Sequence, residues 1–260
     1  MRGPTLSIDV AAAVNDERVL DQCLARSPDI ANGAMSLRTY VGFKSAGLAY
    51  NQALKDSSAE YLVLAHQDVY LPRGFAAALS AELHKLEAID PNWAVAGSIG
   101  LDDETKLQGQ VWSSGLGRII GSKSSTPVRS ICLDELLLVI RRRSGITFDP
   151  DLPGFHMFGV DVIHQARRLG MCSYILDLPV IHHSRPVITL SGSYQEAYRY
   201  MQTKWRKALP LRNLICTVYP TSVWLHWRNF QLRRRHHGRT DRPEPVGDPV
   251  VIAREIGFER

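Results

Sequence analysis

The 260-residue sequence has only four cysteines, Cys23, Cys132, Cys172 and Cys216, far apart and with no CxxC pair. That spacing excludes a zinc ribbon or a disulfide framework and reads as reduced, mostly buried thiols of a cytosolic protein. Long apolar runs are missing as well. The N-terminal MRGPTLSIDV holds no stretch long enough for a signal peptide. The most apolar late segment, LICTVYPTSVWLHW (214–227), falls short of the roughly 20 residues a spanning helix needs, and Pro220 interrupts it. An integral membrane protein is therefore not expected. Neither GxGxxG nor GxxxxGKS/T follows the first expected strand, so the common dinucleotide and P-loop fingerprints are absent. No internal repeat is present.

What the chain does have is an ordinary soluble composition, 45% hydrophobic and 22% charged. Its length suits one α/β domain with an appendage, or two small domains, and needs no staples. The net charge of +5 is unevenly spread. Arg228, Arg233, Arg234, Arg235, Arg239 and Arg242 lie close together with His236 and His237 among them. Such a tract suggests an anionic partner: a membrane surface, a nucleic acid or a phosphorylated substrate.

TLSIDVAAAV (5–14) reads as a buried strand ending at Asn15-Asp16, which caps the helix ERVLDQCLARS. SLRTYVGF (36–43) is a second strand, LAYNQALKDSS a helix, and residues 60–65 a third strand. This alternation predicts a parallel, doubly wound sheet. Helix 74–89, strand 92–100, a Gly/Ser-rich loop or hairpin region at 101–130 suited to a lid, and strand 134–142 follow. Then come helix 160–170, a last strand over 172–184 and a helical region from 192. Pro243, Pro245 and Pro249 predict an extended tail over 238–260.

Ligands in open α/β sheets sit beyond the carboxyl ends of strands, and polar groups gather there in this sequence. Asp68 follows the third strand within His66-Gln67-Asp68, Asp161 starts a helix after a Gly-Phe-His loop, and His182 or His183 closes the last strand. An Asp and a His from distant strand ends can hold a divalent cation, and a separate carboxylate can act as general base. Blander readings stand beside these. Asp68 can cap a turn, Asp161 can be the N-cap of its helix, His156 can brace a loop, and His164 can be a helix-face residue. Asp149 can form a turn, Asp134 can pair with the arginines at 141–143, and Arg233–Arg235 can be a solvated helix face.

The chain resembles family 2 glycosyltransferases of the GT-A fold. Within them it is similar to the bacterial glycosyltransferase-like subgroup in which the metal-binding DxD is written HQD. The resemblance rests on AYNQALKDSSAEYLVLAHQDVYLPRGF, WAVAGSIG, LDELLLVIRR, FDPDLPGFHMFGVDVIHQARRLG and LPVIHHS, in the family's order and covering most of residues 5–184. KWRKALPL (204–211) is similar to the subgroup's C-terminal helix.

The resemblance implies an α/β, GT-A (Rossmann-like) mostly parallel central sheet flanked by helices, with a helical C-terminal extension. It places a nucleotide-sugar, metal and acceptor domain at 1–190, the helical extension at 191–237 and the tail at 238–260. It implies transfer of a sugar, with inversion, from a nucleotide-diphosphate sugar to a hydroxyl of a glycan or lipid-linked glycan. Asp68 would meet the donor diphosphate and Mn²⁺ or Mg²⁺, with His182 or His183 completing the metal shell. His66 stands where the family's first acid touches the ribose, and Gln67 lies between them in the motif. Asn15 would lie near the base, while Asn51 would line the donor pocket or hold the loop after the second strand. Asp161 matches the general base, although Val160 replaces the Glu that usually precedes it. His156 and Asp134 are the candidates for acceptor binding.

Two further readings remain: a catalytically inactive GT-A domain binding a nucleotide sugar or glycan, and a nucleic-acid-binding protein using the basic C-terminus. The expected location is cytoplasmic, with peripheral contact at the inner face of the membrane through residues 214–235. The competing expectation is that the apolar residues there pack on the domain.

Overall fold

A computed structural model describes residues 6–236 and 243–259. Strands and helices alternate from the start: β1 (Ile8–Val14), α1 (Glu17–Gln22), α2 (Pro28–Ala31), β2 (Ser36–Val41), α3 (Ala46–Asp56), β3 (Tyr61–Ala65), β4 (Val69–Tyr70) and α4 (Phe75–Ile89). A strand-rich stretch follows, with β5 (Trp93–Gly97), β6 (Ile99–Asp102), β7 (Leu107–Gly109), β8 (Val111–Ser113), β9 (Arg118–Ile120), β10 (Val128–Leu133) and β11 (Leu137–Arg141). After it come α5 (Phe158–Arg168), β12 (Cys172–Ile175), β13 (Val180–His182), α6 (Ser193–Lys204), α7 (Val223–Arg235) and α8 (Pro249–Glu255).

Nine strands form the central sheet in the order β2-β1-β3-β11-β5-β12-β10-β6-β7. β1 pairs in parallel with β2 and β3, and β12 with β5. β11 is inserted antiparallel between β3 and β5, so β2, β1, β3, β5 and β12 all point the same way. YLVLA, WAVAG and LLVIR are buried along their whole length, as continuous apolar strands must be when both sheet faces are covered. In β3, Leu62 and Leu64 join a core with Tyr50 of α3, Ile163 of α5 and Tyr198 of α6. Tyr61, Val63 and Ala65 join the opposite core with Leu79, Leu83 and Leu86 of α4. This is the two-residue period of a strand sorting side chains to two helical layers. The three α4 leucines, at helical spacing and fully buried, each contribute about 1.5–3 kcal/mol.

A second sheet, β4-β13-β8-β9, stands apart from the first. Residues 172–184, expected to be one strand, are split between the two sheets because residues 177–179 leave the ladder. Much of 101–130, expected to be loops or a short hairpin, is short strand. Residues 134–142 supply a strand that runs antiparallel to both of its neighbours, β3 and β5. Within the expected extended tail, Asp248 accepts from Val250 N–H and Pro249 occupies the first turn, so residues Pro249–Glu255 form helix α8. His237, Arg239 and Arg242 of the basic tract lie outside the described residues. Among the described residues, no helix is long and apolar enough to cross a membrane.

Candidate active site

The carboxyl end of β3, an interior strand of the central sheet, carries the candidate site. His66 N–H donates to Leu136 O at 2.9 Å, keeping the chain in the sheet for one residue beyond Ala65. Val69 N–H then donates to His66 O at 3.1 Å, closing a tight turn with Asp68 at its third position. Asp68 thus does sit in a turn, and the turn aims it. β4 pairs with β13 so that Val69 lies opposite His182, and His183 N–H donates to Asp68 O at 2.8 Å. The pairing sets His182 Nε2 3.5 Å and His66 Nδ1 4.0 Å from Asp68 Oδ1. One ligand atom from each of His66, Asp68 and His182 lies within 4.8 Å of the others, and all three residues are half-buried.

The electrostatics match a cation-binding cluster. Burial works against the Asp68 carboxylate, yet the imidazoles of His182 and then His66 outweigh it and hold its pKa well below the usual range. Burial also works against charge on His182, but Asp68 prevails and raises it. His66 is lowered, chiefly by burial. Two imidazole nitrogens and one carboxylate oxygen fit a divalent transition-metal ion. Imidazole ligands suit Mn²⁺ better than Mg²⁺, which demands a nearly all-oxygen shell.

Of the neighbouring histidines, His182 turns into the cluster. His183 turns its Nδ1 toward Ser114 Oγ at 3.1 Å. Gln67 faces the end of β1: its Oε1 accepts from Asn15 N–H and Asp16 N–H, and its Nε2 donates to Asn15 Oδ1 at 2.6 Å. Asn15 and Gln67 are thereby locked together beside the cluster. Asn51 is spent differently. Its Nδ2 donates to Phe148 O and its Oδ1 accepts from Phe148 N–H, so it braces the segment leading to α5. The half-buried His156 ring lies 5.3 Å from that of Tyr194.

The remaining acids separate into two groups. Asp134 does not pair with the arginines of β11 and the turn after it, because Arg141 and Arg143 are held by Glu87. Instead its Oδ1 accepts from Leu136 N–H at 3.0 Å, and its charge acts on both His66 and His182. Asp161, expected to be the general base, is 1% exposed. Its oxygens accept from Trp205 Nε1 at 2.7 Å, Lys204 Nζ at 2.7 Å and Gln165 Nε2 at 2.6 Å. These donors tie α5 to α6 and leave the carboxylate closed to an acceptor hydroxyl. Asp149 is likewise held, by Lys204 and by the Tyr200 hydroxyl, and His164 packs on Trp205.

Glu135 is the acid that sequence reading passes over. It is half-buried, and its Oε1 accepts from Gly159 N–H at 2.9 Å, in the first turn of α5. Only glycine permits this approach, since a methyl group at 159 would come within 2.8 Å of Glu135 Cγ. Burial, with Asp134 adding to it, pushes the Glu135 pKa up to about 8 despite backbone hydrogen bonds from Gly159 and Met157. The available signal was a pair of acids standing directly before the apolar run LLLVI (136–140).

No family model matches the sequence. A curated protein from Fuscovulum blasticum, "ATP synthase subunits region ORF 6", is 28% identical over 236 residues, covering 86% of this chain and 93% of its own. Among solved structures, GalNAc-T7 with UDP, GalNAc and Mn²⁺ aligns over 99% of this chain with a TM-score of 0.51 and 12% identity. This chain spans 57% of that protein's length. The large helix-flanked α/β sheet matches the GT-A glycosyltransferase fold.

Proposed function

We propose that the protein is a metal-dependent glycosyltransferase moving a sugar, with inversion, from a nucleotide-diphosphate donor to an acceptor hydroxyl. The observation that carries this reading is the His66–Asp68–His182 cluster just beyond the end of β3, on the GT-A fold. Asp68 and His182 would hold the cation, with His66 as a third ligand in place of a second carboxylate. When bound, the metal offsets negative charge on the departing nucleoside diphosphate. Asn15, fixed by Gln67, stands at the β1 end where a base or ribose would lie. Asp134, beside the imidazoles, is placed to orient a hydroxyl.

The test is calorimetry of UDP and GDP binding with and without Mn²⁺, followed by diphosphate release from their sugars. Diphosphate binding that requires Mn²⁺ and is lost in Asp68→Ala supports the reading, and metal-independent binding overturns it. Binding without any turnover would favour an inactive domain.

The acceptor side of the reading includes an anionic lipid surface. Leu225 and Leu232 of α7 pack into the core, whereas Trp224, Trp227 and Phe230 stay 40%, 46% and 56% exposed. Trp224 and Trp227 sit side by side, ring centroids 4.5 Å apart, ahead of Arg233-Arg234-Arg235. An aromatic ridge beside a basic turn suits the headgroup region of a membrane. A lipid-linked acceptor would be reached there.

A further inference from the structure

We infer that Glu135 is the general base of this site, taking the proton of the attacking hydroxyl. The inference rests on the glycosyl-transfer reading and names a group that the reading leaves open. Three observations converge on it.

The first is position. β11 runs antiparallel to β3, so its start lies at the edge where β3 ends, with Leu137 opposite Ala65. Leu136, next to Glu135, holds His66 through its carbonyl, and Asp134, on the other side, acts on both imidazoles of the cluster. Glu135 therefore stands in the same row of strand ends as the cation ligands.

The second is the state of the rival acid. Asp161 is 1% exposed, closed by three donors and paired with a lysine. Glu135 has no lysine or arginine partner among the described residues. Its hydrogen bonds come from backbone N–H groups of Met157 and Gly159. Met157 itself sits in the left-handed region at φ +67, a conformation that costs a residue with a side chain about 1 kcal/mol or more and marks functional loops. The groups whose ionisation responds to Glu135 are Tyr50 on α3, Cys132 on β10 and Tyr194 on α6, with Asp134 alongside. None is a cation. Burial pushes its proton affinity up to about 8, near the working range a base needs.

The third is an orphan. The Tyr194 hydroxyl is buried with no hydrogen-bond partner among the described residues. Burial, then Cys216 and Glu135, raise its pKa well above the ordinary range, so the phenol stays neutral beside the carboxylate. A buried hydroxyl without a partner is costly, and a bound hydroxyl would satisfy it.

In the step, the acceptor oxygen forms a bond to the anomeric carbon as its proton passes to Glu135. The bond from that carbon to the diphosphate oxygen breaks, and its electron pair leaves with the nucleoside diphosphate. Gly159 N–H and Met157 N–H hold the carboxylate while it changes charge.

The experiment compares wild type with Glu135→Gln, which keeps an oxygen for the Gly159 N–H. UDP-glucose, UDP-N-acetylglucosamine and GDP-mannose are supplied with Mn²⁺, water serving as acceptor, and release of UDP or GDP is measured against pH. The expected result is unchanged Mn²⁺ and nucleotide affinity with diphosphate release about 100- to 10,000-fold slower, and loss of the limb of the pH–rate profile that lies near 8. Wild-type turnover in the variant overturns Glu135 and leaves the glycosyl-transfer reading standing. Failure of wild type to bind any of these nucleotides overturns both. Carbon-13 NMR of labelled glutamate carboxyls gives a readout independent of turnover: the resonance missing from Glu135→Gln should titrate near 8, and titration near the ordinary 4.5 overturns the inference.

Discussion

His182 reaches Asp68 through backbone pairing, not through sequence proximity: β13 lies antiparallel on β4, and Nε2 of the histidine comes 3.5 Å from Oδ1 of the aspartate. Either side chain can therefore be removed without touching the ladder that aligns them. Asp68→Ala and His182→Ala should each lower Mn²⁺ affinity by about 100-fold or more, since even outer-shell partners of metal ligands are worth 10- to 100-fold. His183→Ala, whose imidazole faces Ser114, should stay within a few-fold of wild type. Calorimetry with Mn²⁺ decides it, and the same series with Mg²⁺ should show weaker binding throughout.

Asp161→Ala should act on stability. It strands Trp205 Nε1 in the core and leaves Lys204 with Asp149 alone. Loss of a buried partner of this kind costs about 3 kcal/mol. Urea denaturation should show that loss, and Asp161→Asn, which keeps an acceptor for Trp205, should lose less.

Glu135 makes stability fall with pH. Its carboxyl holds a proton more tightly folded than unfolded, so between the ordinary 4.5 and about 8 the native state carries more protons. The contribution is fully present below the lower value and is lost as pH rises through the upper one. At up to ~1.4 kcal/mol per pH unit, reduced by the half-exposure of the group, the total is on the order of 3 kcal/mol. Relative to wild type, Glu135→Gln should gain stability from about pH 5 to about pH 8. Chemical denaturation at the two ends of that range measures it.

The α7 ridge should bind anionic vesicles and not neutral ones. Trp224→Ala with Trp227→Ala, both partly exposed, should reduce flotation about tenfold or more. Equal binding of the double variant would assign the ridge another role.

The layers of this fold could be read from the chain because apolar runs such as YLVLA and WAVAG require burial on both faces. Asp68 was legible for a related reason, as a lone acid following such a run. Strand direction was not. Nothing in LLVIR distinguishes a parallel from an antiparallel neighbour, so the sequence does not show that Asp134 and Glu135 stand beside the end of β3. In sequence, an acid opening a helix such as Asp161 looks alike whether it faces solvent or a buried tryptophan. Only the approach of α6, more than 40 residues later by the Asp161–Trp205 separation of 44, settles which. Asn51 and Gln67 were ambiguous for the same reason, since an amide's partners at separations of 97 and 52 residues leave no local pattern.

Helix α8 packs its Ile252 and Ala253 against Tyr70 and Ile181, the residues beside Val69 and His182 in the small sheet. Glu259 anchors the same place, accepting from the Tyr70 hydroxyl at 2.7 Å with Arg73 3.5 Å away. These supports follow every other described element in chain order. On a ribosome, the large sheet can therefore collapse while the backing of the Asp68 turn is still unmade, and the turn gains its support only after α8 has left the exit tunnel.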